Sequence, residues 1–208
     1  MEFSCPSCGA PIQFKSRFSF YGVCSYCNST LVRKDKSVEA LGKISDMLQD
    51  LSPIQIGSTG ILKDKKFTVL GKQKISYPEG VWNEYFLGFG DESTAWLSES
   101  QGEYMVSKLI DSVSIPEKND VHPGGSLTID KIKYNVIDKR KVVCVGILGE
   151  LPEQILVGEK FVSVDLISGV SQFANIGYFI DGKKFFKGSY YEFEDFQFQN
   201  LRKIDGWD

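Results

Sequence analysis

The sequence predicts a mainly β fold: an N-terminal ribbon built on four cysteines, a connector α-helix, and then two related small antiparallel β units, either bent sheets or barrels. Two C-x-x-C pairs open the chain, one stretch with helical spacing follows, and from Ile54 onward β-branched and aromatic runs alternate with turn residues. These observations divide the 208 residues into a ribbon at 1–34, a connector at 35–53, a first β unit at 54–117 and a second at 118–208.

In the ribbon, Cys5 and Cys8 stand in CPSCGAP and Cys24 and Cys27 in CSYCNST, with fifteen residues between the pairs. Each C-x-x-C turn aims two thiolates at one point, so two turns joined by a short hairpin supply a closed tetrahedral site for one structural Zn²⁺. The same quartet can hold an iron centre or pair as disulfides; structural zinc is the reading adopted. With all four positions filled by protein, no open position is left for a reactive water. Ile12 to Lys15 and Phe18 to Val23 read as the ribbon strands. Phe14, Phe18, Phe20, Tyr21 and Tyr26 serve either to cover the metal or to stack on bases.

The connector is read from Leu41, Ile44, Leu48 and Leu51, which fall at three- and four-residue steps with Val38 and Met47 beside them. Asp35 or Ser37 caps its start, Glu39 suits the first-turn dipole, and Pro53 ends it. Such a helix packs on the following unit or lies in a partner's groove.

Strand runs then recur: Phe67–Ile75, Val81–Phe89, Thr94–Leu97, Glu103–Val106, Tyr134–Ile137, Val142–Leu148, Phe161–Ile167, Ile176–Ile180, Lys184–Phe186 and Phe196–Leu201. Asp181-Gly182 between GYFI and KKFF signals a tight hairpin. A weak repeat supports two related units. GILKDKKFTVLGKQ, from Gly60, aligns without gaps on LTIDKIKYNVIDKR, from Leu127, placing Phe67 on Tyr134 and Val69 on Val136. The junction PEKNDVHPGGS is polar and rich in Pro and Gly.

The candidate interaction surface is Trp82, Glu84, Tyr85 and Trp96. Strand alternation puts Val81, Asn83, Tyr85, Leu87 and Phe89 on one face and Trp82, Glu84 and Phe86 on the other. Trp82, Glu84 and Trp96 can line a groove for a peptide or small ligand, Glu84 meeting a cationic group, or they can be core packing beside a surface carboxylate. No catalytic constellation is evident. GFGDES lacks the third glycine of a phosphate loop, and the single histidine, His122, sits in a predicted loop. Cys144 in VVCVG reads as an interior strand residue, Glu192, Glu194 and Asp195 as a solvated turn, and Trp207 as a residue docked on the β core or marking a contact.

Charge narrows the function classes. The net charge is −3, and beyond the ribbon 20 basic residues face 26 acidic ones. Lys15, Arg17, Arg33 and Lys34 make the ribbon basic, but four thiolates around Zn²⁺ offset most of that excess, so no strong nucleic-acid signal remains. The longest apolar run, Val142 to Leu148, is too short to span a bilayer, and no signal peptide is read at the start, so neither membrane insertion nor export is expected. Zinc-type cysteines without a disulfide framework suit the cytoplasm.

The order CPSCGAP, CSYC, SPIQIGSTG, KKFTVLGKQ, WNEYFLGF and TAWLSESQGEY resembles the bacterial domain-of-unknown-function family 4178. The resemblance is most specific in the first β unit; the second keeps GELP and FANIGYF but has no Trp-x-Glu-Tyr counterpart. It implies a bacterial cytosolic protein, often with a zinc ribbon, associated with membrane-linked stress systems, and it carries over no catalytic residue. The expected function is therefore a non-enzymatic adaptor that binds a protein partner. A nucleic-acid-associated ribbon and a small-ligand sensor or enzyme with a cleft near Glu84 are the alternatives.

Overall fold

The computed structural model describes residues 2–34, 37–43, 52–152 and 157–204. In the ribbon, β1 (Glu2–Ser4) pairs with β2 (Pro11–Gln13) across the first cysteine turn, and β3 (Tyr21–Val23) pairs with β4 (Ser29–Lys34) across the second. The expected hairpin between the two turns does not form. Each C-x-x-C turn reverses the chain by itself, so the strands that pair are the ones flanking each turn.

The expected connector helix is not seen. Its first part is β5 (Ser37–Lys43), antiparallel to β4 with Arg33 opposite Val38. Without β5, β4 would be left with an unpaired edge, and β-branched Val38 packs on the ribbon core of Cys5, Cys24 and Leu31. Glu39, read as a helix-dipole residue, pairs across the strands with Lys34 at 2.6 Å. Ile44, Met47, Leu48 and Leu51 lie outside the described residues, as does Trp207.

The remaining strands are β6 (Thr59–Leu62), β7 (Lys65–Tyr77), β8 (Gly80–Phe89), β9 (Thr94–Ser100), β10 (Glu103–Leu109), β11 (Ser126–Ile129), β12 (Ile132–Gly149), β13 (Lys160–Ser168), β14 (Gln172–Tyr178) and β15 (Lys183–Tyr191). All ten belong to one antiparallel sheet. Following the pairings from β7 through β8, β9, β10, β15, β14, β13 and β12 returns to β7, so eight strands close into a barrel. Closure removes the open edges that short antiparallel strands would otherwise expose.

The two halves of the ring follow one plan. Hairpin β6–β7 and hairpin β11–β12 occupy the aligned segments, and both turn through two left-handed residues, Lys63-Asp64 in one and Asp130-Lys131 in the other. The halves meet along two seams, β7 with β12 and β10 with β15. Glycine is required at both. A Cβ on Gly71 would lie 1.9 Å from the Glu150 carbonyl oxygen, and one on Gly188 would lie 2.0 Å from that of Val106. Tyr134–Ile137 and Val142–Leu148, expected as separate strands, are parts of the 18-residue β12, which bridges β13 and β7.

Much of the apolar core lies outside the barrel wall. Val69, Tyr85, Leu87, Leu97 and Val106 face outward from one half and are covered by Ile54, Leu62 and Phe196. Val164, Leu166, Ala174 and Ile176 do the same in the other half, beneath Val121, Ile129 and Tyr134. Phe196–Leu201, expected as a strand, instead follows a short 3-10 turn at Phe193–Phe196, with Gln197 and Asn200 left-handed. The stacked rings of Phe196 and Phe198, 5.1 Å apart, meet Phe67, so the segment buries its aromatics without a strand face. A third cluster, with Leu70, Ile75, Phe86, Trp96 and Cys144, fills part of the barrel interior.

Candidate functional site

The four cysteine sulfurs lie within 4.8 Å of one another, with Cys5–Cys27 and Cys8–Cys24 at 3.7 Å. A zinc tetrathiolate with bonds of about 2.3 Å has edges of about 3.8 Å, so the quartet can bind a metal ion and zinc fits it. The Ser29 hydroxyl and N–H, both bonded to the Cys27 sulfur, hold that thiol below its ordinary value, whereas its sulfur neighbours hold Cys8 above it.

The ribbon is seated on the barrel. Tyr21 and Leu151 exchange backbone hydrogen bonds, and the Glu150 carboxylate accepts the N–H groups of Lys15 at 2.7 Å and Ser16 at 3.1 Å. Arg17 adds an ion pair with Glu92 at 2.5 Å. Lys15 aside, the basic ribbon side chains are all engaged, since Arg33 donates to the Ser16 and Arg17 carbonyls and Lys34 pairs with Glu39.

Inside the ring lies a cavity of about 320 Å³ to which all eight barrel strands contribute. Trp82, Glu84 and Trp96 line it together. Tyr85 does not join them. It is fully buried on the opposite face, its hydroxyl 2.8 Å from both Ser52 Oγ and Glu99 Oε2. The predicted faces of β8 are thus the observed ones, but the Trp82 face looks into the barrel.

The lumen contains residues that the sequence reading did not single out. Glu84 accepts from Trp82 Nε1 at 3.0 Å and from the Gln73 amide. Asn175 Nδ2 donates at 2.7 Å to both Asp165 Oδ1 and Ser163 Oγ. Burial pushes the Asp165 carboxyl up to about 6. Asp138 pairs with Arg140, whose guanidinium lies 4.3 Å above the Tyr77 ring. One signal was available: in Ser163-Val164-Asp165-Leu166 polar and apolar residues alternate, which marks one face of that strand as polar.

Residues set aside on sequence grounds stay clear of the lumen. His122 is exposed, while Glu192 and Asp195 cap the 3-10 turn. Cys144 is fully buried, and burial raises its thiol to about 12.

Fold and site together define a class: a closed antiparallel β-barrel with a polar-aromatic lumen and an appended four-cysteine ribbon. The chain belongs to the family described as Domain of unknown function (DUF4178), whose model matches residues 55–193. That span takes in every barrel strand and leaves the ribbon outside. Neither the curated proteins nor the solved structures give a match.

Proposed function

We propose that this chain is a small-ligand-binding protein whose site is the barrel lumen. One observation carries the reading: a cavity of about 320 Å³, lined by two indoles and several carboxyls, inside a barrel whose apolar packing lies largely on its outer faces. A cavity of this size suits a small organic molecule. Gln101 and Glu103, exposed at the β9–β10 turn, also line it and give it a mouth. Binding rather than catalysis is proposed, because the Cys144 thiol is held protonated and the histidine lies outside the lumen. The zinc ribbon is assigned a structural role.

The protein-adaptor reading loses support at Trp82, Glu84, Tyr85 and Trp96, which do not share an outward face. It keeps support at the ribbon, where Phe20 and Tyr26 are 51% and 74% exposed. A protein contact there is the second reading, and it is compatible with a ligand in the barrel. The nucleic-acid alternative is weakened by the engagement of Arg17, Arg33 and Lys34 within the chain. The bacterial cytosol and a link to membrane stress rest on the family resemblance alone.

The test is a thermal-shift screen of a small-molecule fragment library on the wild type and on Ser98→Trp, which places an indole in the lumen between the β8 and β10 neighbours Glu84 and Met105. Fragments should raise the wild-type Tm and lose that effect in the variant. Absence of any stabilising fragment, or equal shifts in both proteins, would count against a lumenal site.

A further inference from the structure

The residues around the lumen specify a ligand chemistry, and this inference rests on the lumen being the binding site. Four carboxyl groups line it, those of Glu84, Glu103, Asp138 and Asp165, against the single guanidinium of Arg140. Arg140 is already committed to Asp138 and to the face of Tyr77. An anionic ligand would meet a surplus of negative charge and a base that is already paired.

An independent observation points the same way. Gln73 is 3% exposed and lines the cavity, yet its Oε1 has no hydrogen-bond partner. The orientation of the amide is set by its neighbour: an ionised Glu84 can only accept, so Gln73 must turn its Nε2 toward Glu84 and leave Oε1 facing away. A buried acceptor without a donor costs about 1–3 kcal/mol, which a ligand N–H can recover. Asp165 is held by one donor, Asn175, and retains further capacity to accept. Among the charged groups of the lining, four acceptors face one donor, and that donor is already paired.

We propose that the lumen binds a small organic cation bearing N–H donors, a primary ammonium or guanidinium group on an aromatic or apolar body. The charged head donates to Gln73 Oε1 and to the Glu84 and Asp165 carboxylates. Trp82 and Trp96 receive the body and contribute cation–π attraction to the head. The driving force combines desolvated charge pairing with aromatic burial, as in other sites that recognise amines.

The experiment is calorimetric titration of the full-length wild type at neutral pH with phenethylamine and phenylguanidine, beside phenethyl alcohol as neutral isostere and hydrocinnamate as anion. A cation should bind on the order of tenfold or more tighter than the alcohol, and the acid should not bind. Glu84→Gln keeps an acceptor for Trp82 but removes the charge, so it should erase most of the cation preference while its thermal melt stays cooperative. If the alcohol or the acid binds as well as the cations, the cation inference is overturned, and the lumen reading survives provided Ser98→Trp abolishes that binding. If none of the four probes binds, the inference also fails, and the lumen reading is then decided by the fragment screen. A Glu84→Gln variant that folds and keeps full cation preference would likewise overturn it.

Discussion

At the scale of single residues, Asp165 shows what a polar lumen costs. Its carboxyl titrates near 3.8 when free and near 6 in the fold, because burial disfavours its charge by more than the Asn175 amide and the Arg140 charge offset. Below about pH 4 both states are protonated. Between there and about pH 6 the folded chain keeps a proton that the unfolded chain has released, so this group's contribution falls as pH rises through that window. Asp165→Asn should therefore stabilise the protein near neutral pH by on the order of 1–3 kcal/mol and flatten stability between about pH 4 and 6. Denaturant melts of both proteins across that range check it; parallel profiles would show that Asp165 is not held out of water. Glu84 and Trp82 were legible in the sequence because β8 alternates cleanly. Gln73, Asp138 and Arg140 were not, because side chains on strands distant in sequence reveal a shared lumen only once the ring closes.

At the scale of elements, the cysteine spacing predicted the clustered quartet that can bind a metal ion, and the strand runs located the barrel strands. Two of the misread elements show why sequence periodicity misled. Val38 and Leu41 fit a helical period as well as a strand, and pairing with the edge of β4 decides for the strand. Phe196 and Phe198 alternate like strand residues, yet their rings stack on one another in a loop. The ribbon's own core is small, with Cys5, Cys24 and Leu31 buried at its centre, so a metal held by the four cysteines would supply much of its stability. The outer barrel clusters contain no ribbon residue. Chelation should therefore release the ribbon and leave the barrel folded, seen as loss of protection at Cys24 to Leu31 in hydrogen exchange while β8, β9 and β14 stay protected. One cooperative loss of both would show that the Tyr21–Leu151 and Glu150 contacts couple them more tightly than proposed.

At the scale of the whole molecule, the sequence repeat corresponds to two hairpin-led halves that close one ring. The repeat was readable because the aligned hairpins share their register and their left-handed charged turns. The closure was not, since it depends on pairings between β7 and β12 and between β10 and β15, such as Gly71 with Gly149 and Tyr104 with Tyr191, that join strands far apart along the chain. Those seams create the lumen by placing an apolar layer outside the wall and leaving part of the interior to carboxyls, amides and indoles. Among the described residues no helix is long and apolar enough to cross a membrane.

The central claim is that this lumen receives a small molecule. Its most direct test is two-dimensional NMR of the indole and backbone N–H signals, recorded with fragments that stabilise the wild type. The account predicts that Trp82 and Trp96 indole signals move together with the backbone of Ser163, Asp165 and Asn175 across the lumen. Shifts confined to the outer layer around Phe67, Phe196 and Phe198, with both lumenal indoles unmoved, would contradict it.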